Sequence, residues 1–334
     1  MTIRIGINGM GRIGRALVRI AEQDEELEVV AVNDVADPAQ IVRLLQRDST
    51  FGRFAAEVRH EQGLLLVDDR KVAISQERDP ARLPWADHNV DLVVDATGRF
   101  RTRTELAAHV AAGAPRVVLS APGKQVDATI VMGVNDEVYD PARHVVVSNA
   151  SCTTNCVAPM VKVLHDAFGV EHGFMTTVHA YTGDQNLLDG PHKDPRRARS
   201  AAVNIVPTTT GAARAVGQVL PALAGRLDGV ALRVPVVDGS LVDLAVLLER
   251  EVTPTEVNDA FATAAALGPL AGRLRYEPEP VVSSDIVGDP ASCVFDAELT
   301  QASGRFAKVF GWYDNEWGYT CRLADLARLV GAGR

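Results

Sequence analysis

The chain has 334 residues, of which 47% are hydrophobic and 23% charged, a composition typical of a globular protein with more than one hydrophobic core. Its formal net charge of −9 disfavours partners such as nucleic acid or an anionic membrane, because nothing would offset repulsion from their phosphates. The N-terminal sequence MTIRIGING does not resemble a signal peptide, and no apolar run approaches the length that crosses a bilayer. Four cysteines in so long a chain favour a reducing compartment, so we expect a cytoplasmic protein.

The first 150 residues alternate short β-branched runs with segments in which apolar residues recur at helical spacing. We predict helices over residues 12–22 and 104–112. The predicted strands cover residues 3–8, 28–33, 91–96, 116–120, 129–133 and 144–148. Strands that alternate with helices indicate βαβ units on a mostly parallel sheet.

A glycine-rich turn, GMGRIG, lies directly after the first predicted strand and opens the first helix. Gly9 permits a tight turn, Gly11 lets a pyrophosphate approach the backbone, and Gly14 lets the helix pack against the strand. Asp34 ends the second strand, where its carboxylate can accept hydrogen bonds from both ribose hydroxyls and would repel a 2′-phosphate. A turn that merely packs a helix on a strand is the alternative. The complete fingerprint favours a Rossmann domain that binds NAD rather than NADP.

The stretch SNASCTTNC, residues 148–156, contains two cysteines four residues apart. A zinc site would need two more ligands at a useful spacing, so we expect no metal. A structural disulfide between the two cysteines is disfavoured in a reducing compartment. Cys152 follows good capping residues and should lie in the first turn of a helix, where free amides stabilise a thiolate. For the other cysteines, Cys156, Cys293 and Cys321, we expect buried packing.

The second half of the chain has longer strand candidates with few helices between them, at residues 173–181, 230–237, 241–248 and 305–313. This pattern predicts an antiparallel or mixed sheet in an α+β domain. Pro159 should delay or kink the helix that follows Cys152, because proline has no amide hydrogen. A further helix should begin at Thr253, and the chain should end in an amphipathic helix over residues 319–330.

A nucleophilic thiol needs a base, and His179 is the candidate, since it follows a predicted strand and opens a polar loop. A histidine at a strand end is more often a solvated or satisfied side chain, so spacing alone leaves both roles open. A cysteine nucleophile joined to an NAD fold would oxidise an aldehyde through a thiohemiacetal and a thioester.

Eight motifs, spread in order over nearly the whole chain, resemble the phosphorylating glyceraldehyde-3-phosphate dehydrogenase family. They are NGMGRIGR (8–15), SQERDP (75–80), SNASCTTNC (148–156), HAYTGDQ (179–185), HKDPRRAR (192–199), PTTTGAA (207–213), RVP (233–235) and GWYDNEWGY (311–319). The resemblance implies NAD-dependent conversion of D-glyceraldehyde 3-phosphate and inorganic phosphate to 1,3-bisphosphoglycerate. Cys152 would be the nucleophile and His179 the base.

The resemblance also implies the residues that bind the ligands. Substrate and phosphate oxygens would be bound by Ser151, Thr153, Thr182, Arg197, Thr210, Gly211 and Arg233. NAD would be bound by Gly9, Gly11, Arg12, Ile13, Gly14, Asp34, Arg78, Ser120 and Asn315, the last orienting the nicotinamide amide. Pro191 lies where the family's proline is associated, together with Asp34, with a preference for NAD.

Two departures from the family pattern leave every proposed ligand in place. Met10 stands where the family usually has phenylalanine, and RVPVVDGSLVDL (233–244) replaces the more usual RVPTPNVSVVDL. The resemblance implies three segments, an NAD-binding domain (1–150), a catalytic domain (151–317) and a C-terminal helix (318–334) that packs back on the first. It further implies a homotetramer whose subunits meet through the loop 182–206.

Two rival functions remain to be weighed. Erythrose-4-phosphate dehydrogenase, a close relative, passes its thioester to water, but usually departs from the HAYT and TTTG segments that are intact here. A non-catalytic binding or scaffolding role is opposed by the complete cysteine–histidine pair and cofactor fingerprint.

Overall fold

The computed structural model describes residues 2–333 of the chain. These residues form two compact units, one of residues 2–130, 136–150 and 320–333, the other of residues 131–135 and 151–319. Within the described part of the chain, no helix has the length and apolar character needed to cross a membrane. The functional domains predicted from the sequence stay predictions.

The first unit is built on a nine-stranded sheet with the order β10-β11-β9-β8-β1-β2-β7-β6-β5. Its elements in chain order are β1 (Ile3–Asn8), α1 (Arg12–Glu22), β2 (Leu27–Asn33), α2 (Pro38–Gln46), β3 (Arg47–Asp48), β4 (Gly52–Arg53), β5 (Val58–Glu61), β6 (Leu64–Val67), β7 (Arg70–Ser75), β8 (Leu92–Asp95), α3 (Arg103–Ala111), β9 (Val117–Leu119), β10 (Ala128–Thr129) and β11 (Val146–Ser148). The pairs from β10 across to β7 are parallel, whereas β6 and β5 are antiparallel. The predicted parallel sheet is therefore confirmed.

Differences from the predicted elements have local causes. The strand predicted over 129–133 is limited to Ala128–Thr129, because a backbone hydrogen bond from Val134 to Val131 turns the chain there. Helix α2 was missed although Asp37 caps it through the Ala39 amide. Strand β5 was also missed, since most of its side chains are exposed and show no apolar alternation.

The second unit is built on a seven-stranded sheet with the order β13-β14-β12-β15-β18-β17-β16. Its elements are α4 (Cys152–Phe168), β12 (Val170–Ala180), β13 (Val206–Thr209), α5 (Ala212–Val219), β14 (Leu227–Val234), β15 (Ser240–Leu248), α6 (Pro254–Ala266), β16 (Leu274–Glu277), α7 (Ser283–Ile286), β17 (Cys293–Ser303) and β18 (Phe306–Tyr313). The pairs β12–β14 and β16–β17 are parallel and the others antiparallel. This is the mixed sheet that the sequence predicts. The last helix of the chain is α8 (Trp317–Ala332).

Helix α4 places Cys152 at its first position and packs against β15, β17 and β18. The Ser151 hydroxyl caps it by accepting the Thr154 amide at 3.0 Å. Pro159 lies inside the helix and does not delay its start, so the expected delay was wrong, while the alternative of a kink stays a prediction. A proline well past the first turn removes one internal hydrogen bond but leaves the capped start intact. The predicted start of α6 is confirmed, because Thr253 and Glu256 form a reciprocal capping box.

The glycine turn yields a test of packing in the first unit. A Cβ added at Gly14 would lie 2.0 Å from the Gly9 carbonyl oxygen, whereas one at Gly11 would meet nothing within 4 Å. We expect Gly14→Ala to lower the free energy of unfolding by about 1–3 kcal/mol, the usual cost of overpacking. Gly11→Ala is the matched control and should leave it within about 0.5 kcal/mol of the unsubstituted chain. Chemical denaturation measures both, and equal stabilities would contradict the predicted clash.

Candidate active site

The side chains of Cys152 and His179 lie side by side, at the start of α4 and near the end of β12. The Cys152 Sγ is 3.4 Å from the His179 Nε2. The His179 Nδ1 is 2.7 Å from the Ala180 carbonyl oxygen, which can only accept a hydrogen bond. Nδ1 therefore carries the ring proton in the neutral imidazole, and the lone pair on Nε2 faces the thiol.

The guanidinium of Arg233 lies against the same histidine. Its Nη1 donates to the Ala180 carbonyl oxygen at 3.2 Å and to the Thr182 hydroxyl at 3.1 Å. It is also 3.0 Å from the His179 Nδ1, but both nitrogens carry hydrogen, so this contact places positive charge beside the ring without a hydrogen bond. Burial and this neighbouring charge lower the pKa of His179 to about 3. The imidazole is thus neutral and available as a base.

The ionisation of Cys152 differs from the sequence expectation. Burial raises the pKa of the Cys152 thiol, and the Arg233 charge and hydrogen bonds from Thr153 oppose this rise without cancelling it. The pair therefore rests as a thiol and a neutral imidazole rather than as the thiolate expected from the helix start. A neutral base in contact can take the proton as the sulfur attacks.

Tyr313, at the end of β18, supports the pair and was missed in the sequence. Its hydroxyl is 2.9 Å from the hydroxyls of both Thr153 and Thr177, and its ring meets the His179 ring edge-on with 5.9 Å between centroids. The tyrosine is 1% exposed, and burial raises its pKa, so it stays protonated. It joins the first turn of α4 to the strand that carries the histidine. The tertiary packing is needed to recognise this supporting role, because in the sequence the tyrosine of the motif GWYDNEWGY has the character of an ordinary core residue.

Three of the predicted phosphate ligands, Thr182, Arg197 and Arg233, converge on one polar cluster. The Thr182 hydroxyl and the Arg197 guanidinium both donate to the carboxylate of Asp184, a residue that the sequence prediction omitted. Arg197 also donates to the Thr208 hydroxyl, at 2.9 and 3.1 Å. Burial opposes ionisation of Asp184, but the Thr182 hydrogen bond and the charges of Arg233 and Arg197 lower its pKa. These donors thus already hold one anionic group.

The remaining predicted phosphate ligands have structural contacts of their own. The Ser151 hydroxyl caps α4, and the Thr153 side chain is 5% exposed and bonded to Tyr313. Thr210 accepts the Ala212 amide at 3.2 Å, and the exposed Gly211 precedes α5, whose start no side chain caps. The start of α5 therefore offers backbone amides to an anion, whereas the Ser151 and Thr153 side chains are already engaged.

In the first unit, the glycine turn has the geometry that a dinucleotide requires. Gly9 has φ of +99°, a conformation that glycine adopts readily, and Gly11 leads into α1 without a side-chain cap or an acidic residue in the first turn. One carboxylate oxygen of Asp34 accepts the Met10 amide at 2.7 Å, which ties the acidic residue to the turn. A cleft of about 220 Å³ is lined by Asn8, Gly9, Gly11, Asn33, Asp34, Val35, Glu77, Arg78, Ala96, Thr97, Arg99 and Phe100. Four predicted cofactor residues thus share one cleft.

The other predicted cofactor residues do not line that cleft. The Arg12 side chain pairs with Asp48 and lies over Phe51, so only its backbone remains at the turn. Gly14 is buried and Ile13 is half-buried in α1. Ser120 is half-buried, and its amide donates to the Asp95 carbonyl at 3.0 Å. Asn315 belongs to the second unit, where its Oδ1 accepts the Ser240 hydroxyl at 2.6 Å.

The four cysteines are free thiols. Cys156 and Cys293 are completely buried, as predicted, but Cys321 is only half-buried, so that expectation was too strong. Among residues 2–333, no group of three or more histidine, cysteine, aspartate or glutamate side chains is placed to hold a metal ion.

Comparison with known proteins gives matches over almost the whole chain. Residues 3–103 match the family described as glyceraldehyde 3-phosphate dehydrogenase, NAD binding domain, and residues 151–315 match its C-terminal domain. The chain is 58% identical to glyceraldehyde-3-phosphate dehydrogenase 2 of Streptomyces arenae over 99% of both chains. It is 56% identical to the enzyme of Streptomyces coelicolor, over 99% of both chains, and 53% identical to that of Geobacillus stearothermophilus, over 99% of this chain and 98% of the relative.

The chain belongs to the glyceraldehyde-3-phosphate dehydrogenase family. The family's NAD-binding match contains the glycine turn and Asp34, so NAD is the cofactor that this fold accommodates. Its C-terminal match begins at the residue before Cys152 and contains His179, Arg233 and Asn315. The fold class predicted from the sequence is confirmed for both parts.

The base assignment can be tested by alkylation before any turnover is measured. We expect His179→Asn to slow the reaction of Cys152 with iodoacetamide by about 100-fold near neutral pH, because the amide cannot take the thiol proton. Peptide mass spectrometry follows each cysteine separately. The half-buried Cys321 is an internal control and should react at the same rate in both proteins. An unchanged Cys152 rate would show that the imidazole does not activate the thiol.

Proposed function

We propose that this protein is an NAD-dependent glyceraldehyde-3-phosphate dehydrogenase that converts D-glyceraldehyde 3-phosphate and inorganic phosphate to 1,3-bisphosphoglycerate. The observation that carries the proposal is the 3.4 Å contact between the Cys152 Sγ and the unprotonated Nε2 of His179 in a chain of this family. A nucleophile touching a neutral base is what thiohemiacetal formation requires.

The pair can move protons in a balanced sequence. As Sγ attacks the aldehyde carbon, Nε2 takes the thiol proton and returns it to the former carbonyl oxygen. Nε2 would then accept that hydroxyl proton as the thiohemiacetal is oxidised to the thioester, for which bound NAD would supply the hydride acceptor. The resulting imidazolium, held beside the acyl-thioester, protonates the sulfur after phosphate attacks the carbonyl carbon.

We assign the substrate phosphate to Arg233 and Thr182, and the attacking phosphate or nearby substrate oxygens to Ser151, Thr153, Arg197, Thr210 and Gly211. Support comes from the donors of Thr182 and Arg197, which surround a carboxylate that phosphate oxygens can replace. The backbone at the start of α5 adds a second group of anion donors.

We assign NAD binding to the nine predicted residues, Gly9, Gly11, Arg12, Ile13, Gly14, Asp34, Arg78, Ser120 and Asn315. The NAD-binding domain would be residues 1–150, the catalytic domain 151–317, and residues 318–334 a helix returning to the first domain. Arg328 in α8 pairs with Asp24 and with Glu26, which supports that return. We also propose that the protein is cytoplasmic and serves glucose metabolism, and its four free thiols suit a reducing compartment.

The activity is tested by NADH production from glyceraldehyde 3-phosphate with NAD. We expect turnover to depend on added phosphate, and Cys152→Ser to reduce it by at least about 1,000-fold, because the hydroxyl is a much weaker nucleophile. Cys156→Ser, one turn along the same helix and fully buried, is the control for a lost thiol and should keep most activity. Faster, phosphate-independent turnover of erythrose 4-phosphate would instead favour the related dehydrogenase that uses water.

We further propose that the chain forms a homotetramer. Phe174, Val230 and Phe306 are 73%, 51% and 62% exposed, and the strand register places all three on one face of the second sheet. In the loop before β13, Leu187, Leu188, Val203 and Ile205 are each at least 66% exposed. Apolar surface of this extent is typical of an interface between subunits.

Sedimentation should give a particle of about four times the 35.7 kDa chain mass. Phe174→Glu should shift it towards smaller species, because a charge would be buried at the interface. Leu267→Glu is the matched control, since Leu267 is 69% exposed at the end of α6 and does not belong to the sheet face. A monomeric parent chain would contradict the proposal.

A further inference from the structure

Two buried carboxyl groups, those of Asp238 and Asp314, have no part in the mechanism above. Asp238 lies between β14 and β15 and is 2% exposed, while Asp314 directly follows β18 and is 1% exposed. The two side chains are within hydrogen-bonding reach of each other. A pair of carboxylates in such a place is unstable unless something compensates the charge.

The hydrogen bonds around the pair show what is missing. Asp314 accepts backbone amides at both oxygens, from Gly288 at 2.7 Å and from Glu316 and Trp317 at 2.8 and 2.6 Å. The Asp238 Oδ1 accepts the Gly239 amide at 2.9 Å, but its buried Oδ2 has no hydrogen-bond partner within residues 2–333. Two facing carboxylate oxygens are both acceptors. A proton on the unpartnered oxygen would turn it into a donor towards Asp314.

Among the residues that the structure describes, no positive charge compensates the pair. The charged groups that face Asp238 are acidic, Asp314 itself and Glu316. The neighbouring α7, whose Ser283 carbonyl lies beside Gly239, carries Asp285, which accepts the Val282 amide. Neither Asp238 nor Asp314 has an ion pair with a lysine, arginine or histidine among residues 2–333. Burial and the two acidic neighbours raise the pKa of Asp238 to about 8, and burial raises the pKa of Asp314.

The acid pair flanks one hydrogen bond on both sides. Ser240, two residues after Asp238, donates its hydroxyl to the Oδ1 of Asn315, which directly follows Asp314, at 2.6 Å. The same hydroxyl accepts the Ala180 amide at 3.1 Å, next to His179. Ser240 is completely buried and Asn315 is 5% exposed, so water competes little for this hydrogen bond. Repulsion between the carboxyls would pull the two partners of this bond apart.

We propose that Asp238 is a positioning residue whose shared proton with Asp314 holds the Ser240–Asn315 hydrogen bond together and so fixes the Asn315 amide for the nicotinamide. The step to the nicotinamide rests on the proposed function, but the shared proton does not. In the more usual family sequence, RVPTPNVSVVDL, an asparagine stands at the position of Asp238. An amide donates to Asp314 at any pH, whereas the acid donates only while it is protonated.

Asp238→Asn is therefore the decisive substitution. At about pH 9, roughly a tenth of the unsubstituted molecules would keep the proton. We compare the kcat/KM for NAD of the variant with that of the parent. The ratio of variant to parent should be about tenfold higher at pH 9 than near pH 6. The change should appear mainly in KM, and calorimetry should give the same trend for the Kd of NAD. Asp228→Asn, which removes an exposed carboxylate paired with Arg214, is the control and should give a flat ratio. A flat ratio for Asp238→Asn would overturn the positioning role.

The proton itself can be measured without turnover. Infrared difference spectra should show a protonated carboxyl C=O band in the parent near neutral pH, absent from Asp238→Asn and lost as the pH rises through about 8. Asp314→Asn should remove it as well, because the amide then supplies the donor. No such band would overturn the shared proton. A band in a protein that lacks dehydrogenase activity would support the shared proton and refute the proposed function.

Stability gives an independent readout with a defined sign. The pKa of Asp238 is raised from 3.8 to about 8 on folding, so between these values the folded chain binds a proton that the unfolded chain does not. Relative to Asp238→Asn, the free energy of unfolding of the parent should fall as the pH rises through that interval and level off above it. A pH-independent difference between the two proteins would contradict the inference.

Discussion

The hydrogen bond from the His179 Nδ1 to the Ala180 carbonyl oxygen is the contact on which the chemistry of this site depends. It selects the tautomer, and through the tautomer it decides that Nε2 faces the Cys152 sulfur as an acceptor. The donor and acceptor are on adjacent residues of one strand, so the arrangement needs no distant support. The Tyr313 ring then limits the tilt of the imidazole. A base held in this orientation needs little rearrangement of its surroundings when the thiol reacts.

Charge in this region is arranged so that Arg233 lies against His179 and helps to keep its imidazole neutral. Arg233 shares the Ala180 carbonyl with the imidazole and reaches Thr182, so its charge is directed at the residue with which we propose that it binds the substrate phosphate. Asp184 supplies a carboxylate to the same group of donors. Asp184 therefore offsets part of the positive charge of Arg197 and Arg233, and under the proposed function a phosphate would exchange one anion for another. Such exchange favours reversible binding over tight retention.

The features that sequence reasoning predicted are those encoded locally. The glycine turn, the Ser151 cap and the Thr253 capping box each depend on a few consecutive residues, and each has the predicted form. Tyr313 was missed because its partners come from other elements, 160 residues away in the case of Thr153. Asp184 was missed because its contact with Arg197 depends on how the long loop between β12 and β13 folds back on itself. The protonation state of Cys152 was misjudged for a similar reason. A helix start can be recognised from a few consecutive residues, whereas the burial that raises the pKa of the thiol depends on how the whole unit packs.

Gly239 gives the acid pair a chemical consequence beyond proton sharing. Its φ is +83°, and a Cβ there would lie 2.3 Å from the Ser283 carbonyl oxygen, so this position requires glycine. An asparagine before glycine is prone to spontaneous deamidation, because the unhindered glycine amide can attack the side-chain carbonyl and release ammonia. With glycine fixed at 239, an asparagine at 238 would slowly convert to acid in an ageing protein. Aspartate at that position has no side-chain amide to lose, so ammonia loss cannot change its charge as the protein ages.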